Sequence, residues 1–144
     1  MKDTESFESL SRRVAPLFDR VDSAGIGSLA SAERVFLVVW SAVGQIENGG
    51  FDQFFYNSSG DFAAEAAPAF RTIGATGKAA VIDRALQLFP NGIPPEDRNQ
   101  RIRLLDQATA EKGDEVFDEL EQAFFAVPED IYLLLARYVD SQLT

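Results

Sequence analysis

The sequence contains no cysteine and no histidine. The first absence excludes disulfides, thiolate nucleophiles and cysteine-ligated zinc. The second removes the imidazole base, and with it any Ser-His-Asp triad. Lysine is scarce: only Lys2, Lys78 and Lys112 occur, and none stands in a recognisable catalytic motif. No apolar run nears the roughly 20 residues that a membrane span needs, and the most apolar stretch, residues 35–40, is far too short. The opening Met1-Lys2-Asp3-Thr4-Glu5 is polar and acidic, unlike a secretory signal, so the expected location is cytoplasmic. Strand signals are nearly absent. The chemistry left open is that of carboxylates, Lys, Tyr or oxygen-ligated metals.

What is present suits one folded domain over residues 1–144. The 46% hydrophobic fraction and twelve Phe residues supply a core. Apolar residues recur at helical spacing. Phe7, Leu10, Val14, Leu17, Phe18 and Val21 share one face of a first helix over residues 4–21, which Pro16 is expected to kink or split. A second helix starts at Ser28 or Ser31, each a good N-cap, and runs to Ile46; apolar residues nearly encircle it, as befits a central helix. Asn48-Gly49-Gly50 ends it, and a short helix over 51–56 follows. Further helices are expected over 61–73, capped by Asp61, over 76–89, capped by Thr76, and over 95–110, opened by Pro95. Two more, over 114–125 and 129–143, complete the chain. The expected fold is a compact, irregular all-α bundle of about seven to nine helices.

The charge of −10 is unevenly spread. Residues 9–110 carry 11 acids against 10 bases, whereas residues 111–130 carry eight acids against Lys112 alone. Such a stretch repels nucleic acid and attracts basic surfaces, although acidity of this kind also serves solubility.

Asp22 to Glu33 imitates an EF-hand loop, with Asp22, Gly27 and Glu33 at positions 1, 6 and 12. Ala24 and Ile26 at positions 3 and 5 offer no side-chain oxygen, so six to eight ligands cannot be assembled. The expectation is an interhelical turn and no metal. Paired carboxylates could serve a hydrolase, but they lack a companion pocket signal, so no catalytic residue, enzyme activity or cofactor is expected.

The most distinctive segment is Glu47-Asn48-Gly49-Gly50-Phe51-Asp52-Gln53-Phe54-Phe55-Tyr56-Asn57-Ser58-Ser59-Gly60. Phe51, Phe54 and Phe55 are anchors for the core. Gln53 and Asn57, at i and i+4, face the same way, either satisfying backbone groups at the Gly-Gly break or lining a ligand pocket. The motif Glu-Asn-Gly-Gly-Phe-x-Gln-Phe-Phe-x-Asn-x-x-Gly, followed by Ile73-Gly74-Ala75, resembles the signature of the DNA-mimic protein domain family. The resemblance extends over about residues 30–138 and implies an all-helical, acidic protein. It further implies a homodimer that occupies the DNA-binding face of a transcription regulator. Leu133, Leu134, Leu135 and Tyr138 are candidates for a dimer surface. The motif marks kinship, and mimicry would have to reside in acids outside it.

On the helix expected over 114–125, Val116, Phe117, Leu120 and Phe124 point inward. Asp114, Asp118 and Glu121 form one outward row, Glu115 and Glu119 another, and Glu111, Glu129 and Asp130 extend the patch. Acids four apart lie ~6 Å apart along a helix, comparable with the ~3.4 Å axial step of DNA phosphates plus their twist. These eight acids are the expected partner-binding residues. The motif residues Glu47, Asn48, Gly49, Gly50, Phe51, Gln53, Phe54, Phe55, Asn57 and Gly60 are expected to be mainly structural. The expected partner is a basic DNA-binding protein, with no direct contact to nucleic acid or membrane. Two alternatives remain: a small-ligand or peptide site near Gln53 and Asn57, and an immunity or antitoxin-type inhibitor of a basic nuclease.

Overall fold

The computed structural model describes the backbone of residues 4–143 and the side chains of residues 6–143; the polar N-terminal stretch read above lies largely outside them. Seven α-helices follow one another: α1 (Thr4–Ala24), α2 (Ser31–Tyr56), α3 (Ala66–Thr72), α4 (Thr76–Leu86), α5 (Arg98–Lys112), α6 (Glu115–Ala126) and α7 (Ile131–Gln142). Short 3-10 segments link them at Ile26–Ser28, Ser58–Glu65 and Pro90–Gly92. No strand occurs among the described residues. The all-α, irregular multi-helix bundle expected from the periodicity is what forms.

Helix α2 is the axis of the bundle. Phe36, Leu37, Val38, Val39, Ala42, Val43 and Ile46 are all buried on it, because the other helices pack around nearly its whole circumference. Its backbone leaves helical geometry at one residue, Gly50, with φ 83° and ψ −175°. The expected break at the Gly-Gly pair is therefore real, but the chain resumes a helix at once. That redirected turn drives Phe51, Phe54 and Phe55 into the core. Phe51 meets Phe124 edge-on at 5.7 Å, and Phe55 meets Phe89 edge-on at 5.0 Å.

Several local expectations are corrected. Pro16 does not split α1, because Pro16 and the residue one turn earlier, Arg12, both face solvent, where water can serve the freed carbonyl. Helix α2 is capped by neither Ser28 nor Ser31. Ala30 is its N-cap, and the Glu33 carboxylate accepts from the Ala30 N–H at 2.8 Å. Residues 58–65 form a 3-10 segment, so α3 begins only at Ala66 and Pro68 falls in its first turn, where no intrahelical N–H bond is needed. Thr76 and Pro95 do not cap or open their helices as expected. Ala75 occupies the N-cap of α4, and Asp97 caps α5 by accepting from Gln100 N–H at 3.0 Å.

In the EF-hand-like turn the position-12 carboxylate is engaged within the chain. Glu33, its position-12 residue, receives both guanidinium nitrogens of Arg20 at 2.7 and 3.0 Å. That bond, with the Ala30 N–H, holds the Glu33 carboxyl below the usual carboxylate range.

Candidate functional site

Three polar side chains of the 47–60 motif, Glu47, Gln53 and Asn57, are hydrogen-bonded within the chain. Gln53 and Asn57 both donate to one acceptor, Gln45 Oε1, at 2.8 and 2.9 Å. A concave space of about 370 Å³ lies next to this clamp, between Gln45, Ser58, Phe18, Trp40 and Phe62, but neither Gln53 nor Asn57 lines it. The small-ligand alternative therefore loses the two amides on which it rested. Glu47 accepts from the Tyr132 hydroxyl at 2.8 Å and ties the motif to α7. Asn48 is exposed.

The end of α2 is satisfied by a residue that periodicity did not single out. Arg101 is 0% exposed. Its guanidinium donates to the carbonyls of Phe55 (2.6 Å), Asn57, Pro95 and Glu96 (3.0 Å each), and pairs with Asp61 at 3.0 Å. Gly60 belongs to the same arrangement, since a Cβ there would stand 2.6 Å from both Arg101 Nε and the Phe55 carbonyl oxygen. Asp61 thus serves as the partner of a buried cation and not as a helix cap.

The acidic stretch divides into two populations. Glu111, Asp114, Glu115, Asp118 and Glu119 are exposed around the α5–α6 junction, while Phe117, Leu120 and Phe124 face the core. Three others are engaged inside the fold. Glu129 accepts from the Gly77 and Lys78 N–H groups at 2.8 Å each, satisfying the start of α4 from a distant turn. Asp130 caps α7 by accepting from Leu133 N–H at 3.1 Å. Glu121 is half-buried and accepts from the Phe51 N–H at 3.1 Å. The outward row expected from α6 is thus completed by Asp114 and Asp118, without Glu121.

Glu121 links that row to the motif. Burial pushes its carboxyl upward, the Phe51 N–H pulls it down, and the neighbouring charges of Asp52 and Asp118 push it up again. Tyr56, pushed up to about 12, is raised first by burial, next by its bond to the Asp106 carboxylate, then by the charges of Asp106, Asp52 and Asp114. Carboxylates from three elements therefore share one face: Asp52 from α2, Asp106 from α5, and Asp114 and Asp118 at α6. Asp52 and Asp106 were invisible to a count along the chain because they are dispersed in sequence.

A folded pKa raised above the unfolded value contributes stability at low pH and loses it as pH rises through the folded pKa. Ionised Glu121 thus costs stability at neutral pH. Glu121→Gln, which keeps an acceptor for Phe51, is expected to melt higher than wild type at neutral pH. The gap should close as pH falls through the carboxylate range, as read by thermal denaturation. A variant that melts lower by the same margin at every pH would sink this assignment.

Of the residues considered for a dimer surface, Leu135 is fully buried, whereas Leu134 and Tyr138 line a shallow groove with Ile73 and Arg137. Among the described residues no helix is long and apolar enough to cross a membrane.

No curated protein and no solved structure matches the chain. The family described as DMP19-like protein matches residues 27–142, from the turn before α2 to the last residue of α7. That span takes in the motif, the Arg101 cluster and the acidic face together, and by this match the chain belongs to the family of DMP19-like proteins.

Proposed function

We infer that the protein is a non-enzymatic DNA mimic, whose acidic face occupies the basic DNA-binding surface of a transcription regulator. The carrying observation is that Tyr56 of α2 binds Asp106 of α5 while Glu121 of α6 binds the Phe51 N–H, which brings the exposed Asp52, Asp106, Asp114 and Asp118 from three elements together, beside the exposed Glu111, Glu115 and Glu119. Membership of the DMP19-like family supports the same direction. A basic surface meeting these carboxylates releases its counterions much as it does on DNA, so association should be fast and sensitive to salt. A basic nuclease offers the same chemistry, and the identity of the captured protein separates it from a regulator.

The test is a pull-down at low and high salt, followed by competition with the captured protein's DNA site. Asp52→Asn, Asp114→Asn and Asp118→Asn are combined, leaving the engaged Glu121, Glu129 and Asp130 intact. The expected result is capture of a DNA-binding protein that salt and its DNA both release. At a few tenths to 1 kcal/mol per exposed charge, the triple variant should bind it on the order of tenfold more weakly, with a shallower salt dependence. Equal capture by variant and wild type overturns the assignment to this face.

A further inference from the structure

A second feature is independent of the acidic face. An open pocket of about 470 Å³ lies between α2, the start of α4, the end of α6 and the start of α7. Clefts of roughly 300–1,000 Å³ are the usual size for small-molecule sites. Lys78 lines it and is only 6% exposed. Its ammonium donates to the Phe124 carbonyl at 2.6 Å and stands 4.3 Å from the centre of the Phe124 ring. An ammonium has three N–H donors, and among the described residues the other two meet no acceptor. In an open pocket water can serve these two donors, and a ligand oxygen can take the place of that water.

The remaining wall restricts what can bring that oxygen. Glu47, Glu129 and Asp130 line the pocket together with the single cation Lys78, so the lining carries excess negative charge. A simple anion would be repelled by these carboxylates, and a simple amine would leave Lys78 to water. Glu129 uses both oxygens on the start of α4, but Glu47 and Asp130 each engage only one. Phe125, 51% exposed, gives the lining an exposed aromatic ring.

We propose that this pocket binds a small zwitterion of the α-amino-acid class, its carboxylate on Lys78, its ammonium on Glu47 and Asp130, and an apolar side chain against Phe125. Burial lowers the affinity of Lys78 for its proton while Glu129 and Glu47 partly restore it, so a bound carboxylate reinforces the charged form.

Calorimetric titration of the full chain with L-phenylalanine and L-leucine tests this, alongside phenethylamine and 3-phenylpropionate as single-charge controls. Saturable binding of an amino acid is expected, with each control at least about tenfold weaker, the loss typical of an unmatched charged hydrogen bond. Glu47→Gln and Lys78→Met should each weaken binding by a similar factor. Glu47→Gln retains an acceptor for Tyr132, so its melting temperature should match wild type and keep the test valid if Lys78→Met unfolds. No binding of either amino acid overturns the proposal, as does phenethylamine binding as tightly as phenylalanine, or binding that Glu47→Gln leaves unchanged.

Discussion

Arg101→Met is expected to lower the unfolding free energy by about 3–5 kcal/mol, the range for removing one partner of a buried charged network. Methionine keeps the apolar stem but removes every donor. The carbonyls of Phe55, Asn57, Pro95 and Glu96 then lose their partner together, and Asp61 loses its counter-charge. Each buried acceptor left unsatisfied costs about 1–3 kcal/mol, with water recovering part of the loss at the more open groups. For a chain of this size each kcal/mol lowers the melting temperature by roughly 2–4 °C, so a drop of about 10 °C or more should appear in thermal denaturation. Arg101→Lys should rescue less than half of it, because an ammonium cannot reach four carbonyls lying in different directions. A loss below about 1 kcal/mol would mean that water replaces the guanidinium without penalty and that α2 needs no such cap.

Gly50→Ala should be nearly as damaging, for two separable reasons. With φ 83° and ψ −175°, the residue occupies a backbone region that is essentially glycine's alone. Forcing alanine into it costs about 1–3 kcal/mol. A Cβ there would also stand 1.9 Å from Glu121 Oε1, the carboxylate that receives the Phe51 N–H. The clash must displace Glu121 and orphan that N–H. Gly50→Ala is therefore expected to destabilise by about 3 kcal/mol, the sum of strain and a lost hydrogen bond. Adding Glu121→Ala to it should remove the clash but not the strain. Chemical denaturation of the two single variants and the double variant completes a cycle. Strict additivity would show that the Gly50–Glu121 contact has no part in the effect.

Much of the fold was legible in the chain. The apolar girdle of residues 35–46 announced a buried central helix, and the Gly-Gly pair announced its interruption. Both follow from local rules: periodicity reports burial, and glycine alone adopts positive φ at low cost. The errors gathered at helix starts. Glu129 serves the beginning of α4 from 51 and 52 residues away, and Asp61 pairs with Arg101 where a local cap was expected. A capping rule that searches only three or four residues ahead cannot find such partners. Arg101 itself sits in a polar stretch, Asp97-Arg98-Asn99-Gln100-Arg101, that reads as a solvated face.

The candidate site was legible in part. The concentration of acids over residues 111–130 is a linear property, and α6 displays Asp114, Glu115, Asp118 and Glu119 outward as its spacing required. Which of the eight acids remain available was not readable. Glu121, Glu129 and Asp130 carry the same charge as the rest, and only their approach to orphan N–H groups sets them apart.

By itself the sequence determined an all-helical class, the exclusion of thiol and imidazole chemistry, and an acid-rich segment, because composition and periodicity are properties of the chain alone. The tertiary structure decided how the carboxylates are divided between scaffold and surface, that Asp52 and Asp106 join the acidic face, and that Lys78 is buried in a pocket wall. Each of these depends on residues far apart in the chain meeting in space, and on the low dielectric and unmet hydrogen bonds that exist only once they have met.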